Sequence, residues 1–200
     1  MQSYVPYICK AIFTSVFIYF VVGAFNSYAV CNPEHFIKDI YRKTRSINLS
    51  RISPQLQQSK IEDIIEKSIN FDLVSKFVLG KEIKNLSGKQ FELFKDAYKK
   101  RFCKKYSGFL LGRELEILSF DVKKEGGRRY FVTTKVKTDP TNEVKISYLI
   151  VESKNNDGSV CKIIDIIFAG SFSIAFADRQ EIKSFLTKST IEDLITEFNK

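Results

Sequence analysis

This chain of 200 residues has almost no histidine, no tryptophan and no glycine-rich phosphate-binding motif. These absences exclude several classes of functional site. The chain has one histidine, His35, and no tryptophan. A Ser-His-Asp triad or a histidine-based metal site is therefore not expected. Gly126-Gly127 is flanked by strand-like residues, which is typical of a hairpin turn and not of a phosphate-binding loop. The sequence also shows no internal repeats and no low-complexity tracts.

Cysteine is sparse as well, and its spacing excludes a metal-binding motif. The four cysteines are Cys9, Cys31, Cys103 and Cys161. Loss of an N-terminal segment containing Cys9 would leave an odd number of thiols with no metal-ligand spacing. At most one intramolecular disulfide can then form, and packed free thiols are an equally acceptable alternative. The sequence leaves this choice open.

The N-terminal segment has the features of an export signal. Lys10 is its only charge, the stretch 11–25 is almost continuously apolar, and small residues precede a cleavage point after Ala29. An uncleaved anchor is the alternative, but about 15 apolar residues are fewer than the roughly 20 that span a bilayer. We therefore predict a signal peptide over residues 1–29, followed by a single domain over residues 30–200.

The chain carries an excess of positive charge. It has 32 lysines and arginines against 23 aspartates and glutamates, a formal net charge of +9. Such a charge favours anionic partners, namely nucleic acid, lipid headgroups or acidic protein surfaces. Export argues against nucleic acid. The basic cluster between Lys99 and Lys105 is interpreted as a solvated helix face, the alternative being a docking site for an anionic membrane or an acidic partner.

Apolar residues at helical spacing predict helices at both ends of the domain. Residues 33–69 predict two helices separated by a polar loop, and Asp72 is the predicted cap of a short helix that ends at Leu79-Gly80. Ser87 is the predicted cap of the longest helix, and two further helices follow residue 171. The longest helix carries an aromatic stripe at three- to four-residue spacing: Phe91, Phe94, Ala97, Tyr98, Phe102 and Tyr106.

Between these helices the apolar period changes to two, which predicts strands. Turn residues separate four strand-like segments, so we expect an antiparallel meander. Helices before and after such a meander define the α+β class, with a curved four-stranded sheet packed against N-terminal helices and closed by C-terminal ones. The four predicted strands cover Leu115–Lys123, Arg129–Lys137, the alternating residues Val144 to Ile150, and Val160–Ala169.

The end of the chain carries a distinctive block. Asp165 is the one carboxylate in the apolar last strand, Gly170-Ser171 forms a corner, and the next helix carries Arg179. This order resembles the C-terminal part of proteins of the MlaC-type (toluene-tolerance) family of periplasmic phospholipid-binding proteins. The resemblance covers roughly Phe71 to Phe198. Its other landmarks are Phe71-Asp72, Leu79-Gly80, the Gln90, Phe91, Phe94 and Tyr98 helix, Tyr106, the Ile146 to Leu149 strand and Asp193-Leu194-Ile195.

Two departures from the family pattern concern tryptophan. Members of that family usually have one soon after the Leu-Gly pair, where this chain has Lys81-Glu82-Ile83. They usually have another in the last strand, where this chain has Cys161. Both are packing positions, so the fold expectation stands, but the detailed shape of the family's pocket does not transfer.

The resemblance implies a deep apolar cavity that holds phospholipid acyl chains and leaves the headgroup near solvent. Burying a methylene is worth about 0.8 kcal/mol, so two long chains amount to roughly 20 kcal/mol or more. Phospholipid therefore does not cross water unaided at a useful rate. The implied protein is a monomeric, non-enzymatic periplasmic carrier with no cofactor, whose cargo is glycerophospholipid moved between inner and outer membranes to maintain outer-membrane lipid asymmetry. The implied partners are an inner-membrane lipid-transport complex and an outer-membrane lipoprotein–porin complex.

The predicted cavity lining combines the helical aromatic stripe with one face of the meander. A slip of one residue would exchange the two faces of any strand. The alternative is that the two apolar surfaces pack together as a filled core, which would make the chain a ligand-free interaction protein. The predicted lining residues are Phe91, Phe94, Tyr98, Phe102, Val132, Val136, Ile146, Tyr148, Ile164, Ile166 and Phe168.

Asp165 allows a third interpretation, a small-molecule enzyme on a cone-shaped α+β fold. Burial can raise a carboxyl pKa toward neutrality and make the group a general base. Strand alternation, however, places Asp165 on the face opposite Ile164 and Ile166, which favours a structural acid. Arg179 is the predicted partner of that acid, the alternative being that it holds a lipid phosphate.

Overall fold

The structure of the protein is a computed structural model that describes residues 31–138, 142–155 and 158–200. The predicted signal peptide lies outside these residues. The described chain forms helices before and after one antiparallel sheet, which confirms the α+β class. The helices are α1 (Pro33–Asn48), α2 (Pro54–Ser68), α3 (Phe71–Leu79), α4 (Gly88–Leu110), α5 (Ile174–Leu186) and α6 (Ile191–Phe198), with a 3₁₀ turn over Gly80–Asn85. The strands are β1 (Glu116–Lys124), β2 (Arg129–Lys137), β3 (Glu143–Asn155), β4 (Gly158–Phe168) and β5 (Phe172–Ser173).

Side-chain caps begin most of these helices. The hydroxyl of Ser87 accepts a bond from Gln90 N while the Gln90 side chain accepts one from Ser87 N, a capping box that confirms the predicted start of α4. The prediction that Asp72 caps α3 is wrong. Asn70 caps that helix through a bond from Leu73 N at 3.0 Å, and Asp72 lies in the first turn, paired with Lys76 at 2.6 Å.

The sheet follows the chain in the order β1-β2-β3-β4-β5, and every neighbouring pair is antiparallel. The four predicted strands are therefore confirmed, with a fifth strand added at the edge. This strand has two residues, too few for a period-two pattern to be seen in sequence. The corner before it bends through Ala169 and Gly170, whose φ angles of 50° and 78° both lie in the left-handed region.

A β-bulge in β4 changes which residues face the helices. Leu149 pairs with Asp165, but the next residue, Ile150, pairs with Ile163, so Ile164 is an extra residue in β4. The residues of β4 that face the helices are therefore odd-numbered before the bulge and even-numbered after it. Before the bulge the buried inward residue is Ile163, and after it the residues opposite Ile146 and Tyr148 are Phe168 and Ile166.

The helices cover one face of the sheet. α1 packs over β1 and β2, whereas α2, α3 and α5 contact β4, and α4 lies against α2 and α6. Between these layers lies a single apolar core to which every helix and strands β2, β3 and β4 contribute buried side chains. Its largest fully buried members are Tyr98, Phe94, Ile37, Ile61, Ile150, Ile182 and Leu194.

A disulfide ties the start of the described chain to the sheet. Cys31 lies two residues before the start of α1 and is bonded to Cys161 in β4, with 4.9 Å between the two Cα atoms. The sequence left this pairing open, and the structure resolves it. Cys103 is buried in α4 as a free thiol, and burial raises its pKa to about 12. The thiol is therefore un-ionised at neutral pH.

Candidate functional site

A cavity of about 620 Å³ lies between the helices and the sheet. Its size falls within the range of roughly 300–1,000 Å³ that is typical of small-molecule sites. The sheet supplies one wall through Val144, Ile146, Tyr148, Ile163, Ile166 and Phe168, which all project from β3 and β4. The facing walls come from Ile40, Tyr41 and Thr44 of α1, Ile64 and Ile65 of α2, Phe102, Tyr106, Phe109 and Leu110 of α4, and Ile174 and Ala177 of α5. The cavity is therefore built from predominantly apolar side chains.

Some of the residues that were predicted to line the cavity do line it, and the others lie elsewhere in the protein. The residues from that prediction that line the cavity are Phe102, Ile146, Tyr148, Ile166 and Phe168. The others, which are not among the residues around the cavity, are Phe91, Phe94, Tyr98, Val132, Val136 and Ile164. Each group of exceptions has its own physical cause.

The exceptions on α4 lie at its N-terminal end. There the ring of Phe198 in α6 is 6.1 Å from Phe94 and 6.3 Å from Tyr98, so the stripe is covered by another helix. Val132 and Val136 are fully buried on β2, which α1 covers. Ile164 is displaced by the bulge in β4, which gives its expected place on the inner face to Ile163.

The sequence prediction assigned no lining residues to α1 or α2. Ile40, Tyr41 and Thr44 lie at three- to four-residue spacing on α1, and Ile64 and Ile65 extend the apolar face of α2. That spacing was visible in the sequence and could have identified them. The spacing does not show, however, that the apolar faces of α1 and α2 line a cavity and are not covered by packed side chains.

A hydroxyl pair bridges the cavity wall. The phenolic oxygens of Tyr41 in α1 and Tyr148 in β3 are 2.6 Å apart and share a hydrogen bond. Burial raises the pKa of both phenols, so they are neutral at physiological pH. The pair fixes α1 to the sheet without placing a charge in the cavity.

Asp178 is the buried carboxylate of the cavity wall, and it was not predicted. Its side chain accepts a hydrogen bond from Tyr98 Oη at 2.8 Å, and Lys105 Nζ lies 3.5 Å from its other oxygen. Only 3% of the residue is exposed, and this burial raises the carboxyl pKa although Tyr98 and Lys105 act in the opposite direction. Both carboxylate oxygens are therefore occupied within the protein.

The mouth of the cavity carries positive charge and exposed aromatic rings. We define the rim as the exposed residues around the cavity: Arg45, Lys105, Phe109, Arg113, Phe172 and Glu181. Its one exposed carboxylate, Glu181, is already paired with Arg101. The rim is therefore net cationic, and it suits a ligand with an anionic group outside an apolar body.

The predicted pair of Asp165 and Arg179 is wrong. Asp165 accepts bonds from Ile166 N at 2.8 Å, Ser173 Oγ at 2.6 Å and Ala175 N at 3.0 Å, and so holds the corner and the start of α5. The guanidinium of Arg179 lies over the Phe77 ring at 5.1 Å. Neither residue lines the cavity, so neither holds a ligand there.

A second depression lies on the outer surface, between α1 and the edge strand β1. Its volume is about 890 Å³, but it is a surface groove lined by Glu34, Lys38 and Arg42. These side chains are engaged in ion pairs along α1. Apolar side chains such as Leu49, Ile117 and Phe120 also line this groove, but charged residues share its walls and it is more open to solvent than the inner cavity. We therefore place the candidate site in the predominantly apolar cavity.

Metal binding and membrane spanning each require features that the described residues do not provide. Within residues 31–138, 142–155 and 158–200, no cluster of three or more histidine, cysteine, aspartate or glutamate side chains could hold a metal ion. In the same part of the chain, no helix has the length and apolar character needed to cross a membrane.

The fold and the cavity together define an α+β protein with an apolar internal cavity and a cationic rim. The family model of the MlaC protein matches residues 38–200, so the chain belongs to the MlaC family. A phospholipid-binding protein from Ralstonia solanacearum, solved in complex with a phospholipid, has a similar structure with a TM-score of 0.63. The two proteins share 13% sequence identity over 83% of this chain and 92% of that chain, which shows a common fold. No curated protein matches the sequence.

Proposed function

We propose that this protein is a glycerophospholipid carrier that holds acyl chains in the cavity between α1, α2, α4 and the β3–β4 face of the sheet. The observation that carries the proposal is the apolar cavity with its cationic rim, in a chain of the MlaC family. The Ralstonia protein of similar fold was solved with a phospholipid, which supports the same class of cargo. The tail contacts that we assign are Phe102, Ile146, Tyr148, Ile166, Phe168, Ile40, Tyr106, Leu110 and Ile163.

The chemistry of the cavity suits acyl chains. Each buried methylene contributes about 0.8 kcal/mol, provided that no unpaired charge shares the space. The buried carboxylate in the wall, Asp178, is satisfied by Tyr98 and Lys105, and the phenols of Tyr41 and Tyr148 satisfy each other. Hydrocarbon can therefore fill the cavity without stranding a charged group.

Binding and release without covalent change is the mechanism that we infer. The carboxylate once considered as a general base, Asp165, lies away from the cavity and has all its oxygens engaged by Ile166, Ser173 and Ala175. Asp178 lines the cavity but is held by Tyr98. Asp165 lies outside the cavity, and Asp178 is engaged by Tyr98 and Lys105 in the cavity wall, so we propose a carrier and not an enzyme.

We also propose that the carrier is a periplasmic monomer that exchanges lipid with an inner-membrane transport complex and an outer-membrane lipoprotein–porin complex, and so maintains outer-membrane lipid asymmetry. The export signal expected over residues 1–29 supports this location. The disulfide between Cys31 and Cys161 supports it as well, because such bonds persist in oxidising compartments.

Two substitutions in one strand test the carrier proposal. Ile166 and Ile164 are both half-buried isoleucines of β4, but only Ile166 lines the cavity. In Ile166→Trp the indole would occupy tail space, and we expect co-purifying phospholipid to fall several-fold from near one molecule per protein. The matched variant Ile164→Trp should keep the cargo. Native mass spectrometry and lipid extraction measure both.

Three outcomes would contradict the proposal. The first is a wild-type protein, purified from a Gram-negative periplasm, that holds no phospholipid and takes none from vesicles. The second is equal loss of cargo in both tryptophan variants while both stay folded. The third is turnover of a small molecule that Asp165→Asn abolishes, which would favour the enzyme instead.

A further inference from the structure

A series of aromatic rings on α4 leads from the cavity to the protein surface. The rings of Phe102 and Tyr106 lie 4.4 Å apart, and those of Tyr106 and Phe109 lie 6.0 Å apart. All three residues line the cavity, but their exposure rises from 4% at Phe102 to 58% at Phe109. A further ring of the rim, that of Phe172 in β5, is 57% exposed. The apolar lining of the cavity therefore continues onto the outer surface.

Another exposed apolar side chain lies beside this series. Leu49, which follows the last residue of α1, is exposed to the same extent as Phe109. The side chain of Asn48 donates hydrogen bonds to the carbonyl oxygens of Leu110 and Arg113, at 2.8 and 2.9 Å. These bonds tie the end of α1 to the end of α4, so Leu49 and Phe109 lie at the same end of the molecule.

Cations without partners surround these apolar side chains. Arg45 and Arg113 line the cavity and are exposed, and neither has an ion-pair partner among the residues that the structure describes. The exposed carboxylate of the rim, that of Glu181, is already engaged in an ion pair. The acidic residues that follow Arg113, namely Glu114 and Glu116, are not among the residues around the cavity. The two guanidinium groups are therefore available to an anionic surface.

The combination of exposed rings and available cations fits the surface of an anionic membrane. Aromatic rings enter the boundary between headgroups and acyl chains, and guanidinium groups bind lipid phosphates. An acidic protein surface would account for the cations, but not for an apolar surface that continues into the cavity. A bilayer accounts for both, because acyl chains that move along Phe102, Tyr106 and Phe109 avoid contact with water.

We propose that the rim docks directly on the surface of an anionic lipid bilayer, with the rings of Phe109 and Phe172 in the interface and Arg45 and Arg113 on lipid phosphates. Leu49 enters the interface beside Phe109. The inference rests on the proposed function, to which it adds the surface through which the cargo is exchanged. In this orientation the mouth of the cavity faces the bilayer, and the aromatic series of α4 connects the two.

Vesicle flotation tests this inference. Lipid-loaded protein is mixed with vesicles of phosphatidylcholine alone, or of equal parts of phosphatidylcholine and phosphatidylglycerol. We expect the wild type to bind the anionic vesicles, and this binding to weaken as the salt concentration rises. Each basic residue at an anionic surface contributes roughly fivefold, so Arg45→Gln, Arg113→Gln should lower vesicle binding by about tenfold or more. Phe109→Ala removes a ring from the interface and should lower it several-fold.

Control variants near the N-terminal end of α4 separate docking from overall charge. The double variant Lys84→Gln, Lys89→Gln removes two exposed lysines, and Leu93→Ala removes an exposed apolar side chain. None of these three residues lines the cavity. At a rise of 1.5 Å per residue, Leu93 lies about 24 Å from Phe109 along the helix. Both control variants should bind the anionic vesicles as the wild type does.

The outcomes distinguish this inference from the function on which it rests. Equal binding to neutral and anionic vesicles, or an equal loss of binding in rim and control variants, would overturn the docking surface. A wild type that binds the isolated membrane complexes but no vesicles would assign the rim to an acidic protein and would also overturn membrane docking. The carrier function stands in these cases if native mass spectrometry still finds phospholipid in the protein. Absence of phospholipid would overturn the proposed function, and this inference with it.

Discussion

The two ends of α4 carry the same aromatic pattern but have different surroundings. At the N-terminal end, Phe94 and Tyr98 are stacked 5.8 Å apart and covered by Phe198 of α6. At the C-terminal end, Phe102 and Tyr106 lie along the cavity, and Phe109 is 58% exposed at the rim. The closed end is core and the open end is candidate site. An aromatic stripe therefore identifies an apolar helix face, but not whether protein or ligand fills the space opposite it.

Asp178 lies at the boundary between these two ends. It accepts a hydrogen bond from Tyr98 of the closed end and lies next to Lys105 of the open end. Asp178 itself lines the cavity, and the cavity-lining ring of Phe102 lies 5.8 Å from the ring of Tyr98. The aromatic stripe is therefore continuous between the two ends, and α5 contacts both of them through Asp178.

The largest expected effect separates the two ends by stability. Phe94→Ala removes a fully buried ring from the closed end, and we expect a loss of about 3–5 kcal/mol in the free energy of unfolding. Phe109→Ala removes a mostly exposed ring from the open end, where surface substitutions change stability by roughly 0.5 kcal/mol or less. Urea denaturation of both variants, freed of lipid, measures the difference.

Equal destabilisation by the two variants would contradict the distinction between the closed and open ends. The comparison needs lipid-free protein because bound cargo stabilises the folded state by mass action. Phe91→Ala, at a half-buried position on the same helix, should give an intermediate loss and so serves as a check on the scale.

The sequence was sufficient for the fold because the fold depends on local patterns. Period-two runs predicted β1 to β4, and the capping serine Ser87 predicted the start of α4. The spacing of apolar residues also indicated the surfaces that α4 and the sheet present to each other. These features depend on neighbours along the chain, which a sequence shows directly.

The candidate site was predicted less completely because it depends on contacts between distant segments. The bulge at Ile164 changes the inward face of β4, and no strand-alternation rule reveals an extra residue. The cap of the closed end comes from Phe198, about a hundred residues after Phe94 in the chain. Asp165 was correctly placed off the cavity by alternation, but its partners are the corner residues and not Arg179.

The disulfide provides the next largest test, because it joins the segment just before α1 to β4, and α1 and β4 both line the cavity. Its 130-residue separation means that the bond strongly restricts the unfolded chain. We expect the double variant Cys31→Ser, Cys161→Ser to lose about 2–5 kcal/mol of stability. Hydrogen exchange should show the larger loss of protection in α1, since α1 begins two residues after Cys31 whereas α4 and α6 are not attached to either cysteine.

Reduction of the wild-type protein should reproduce the double variant, and a reducing agent should leave the double variant unchanged. The buried Cys103 serves as an internal reporter, because its thiol reacts with a maleimide only when the protein opens. Unchanged stability after loss of the disulfide would show that packing alone holds α1 against the sheet. Loss of protection confined to α4 would contradict the assignment of the bond to the cavity walls.

The smallest expected effect concerns Asp178, at the boundary of the two ends. Burial raises its folded-state pKa above the ordinary value of 3.8, so the folded protein holds this proton at pH values where the unfolded chain has lost it. Its contribution to stability therefore falls as pH rises from about 3.8 through the folded-state pKa, and is constant above it. Asp178→Asn keeps an oxygen for Tyr98 but does not titrate, so the stability of the wild type relative to this variant should decrease across that window. Urea denaturation between pH 4 and pH 8 measures the trend, with the exposed Asp96→Asn as control. An increase of this relative stability with pH would mean that the positive charges of Lys105 and Arg101 lower the pKa of Asp178 by more than burial raises it. The cationic side chains near the open end would then dominate the electrostatics of this carboxylate.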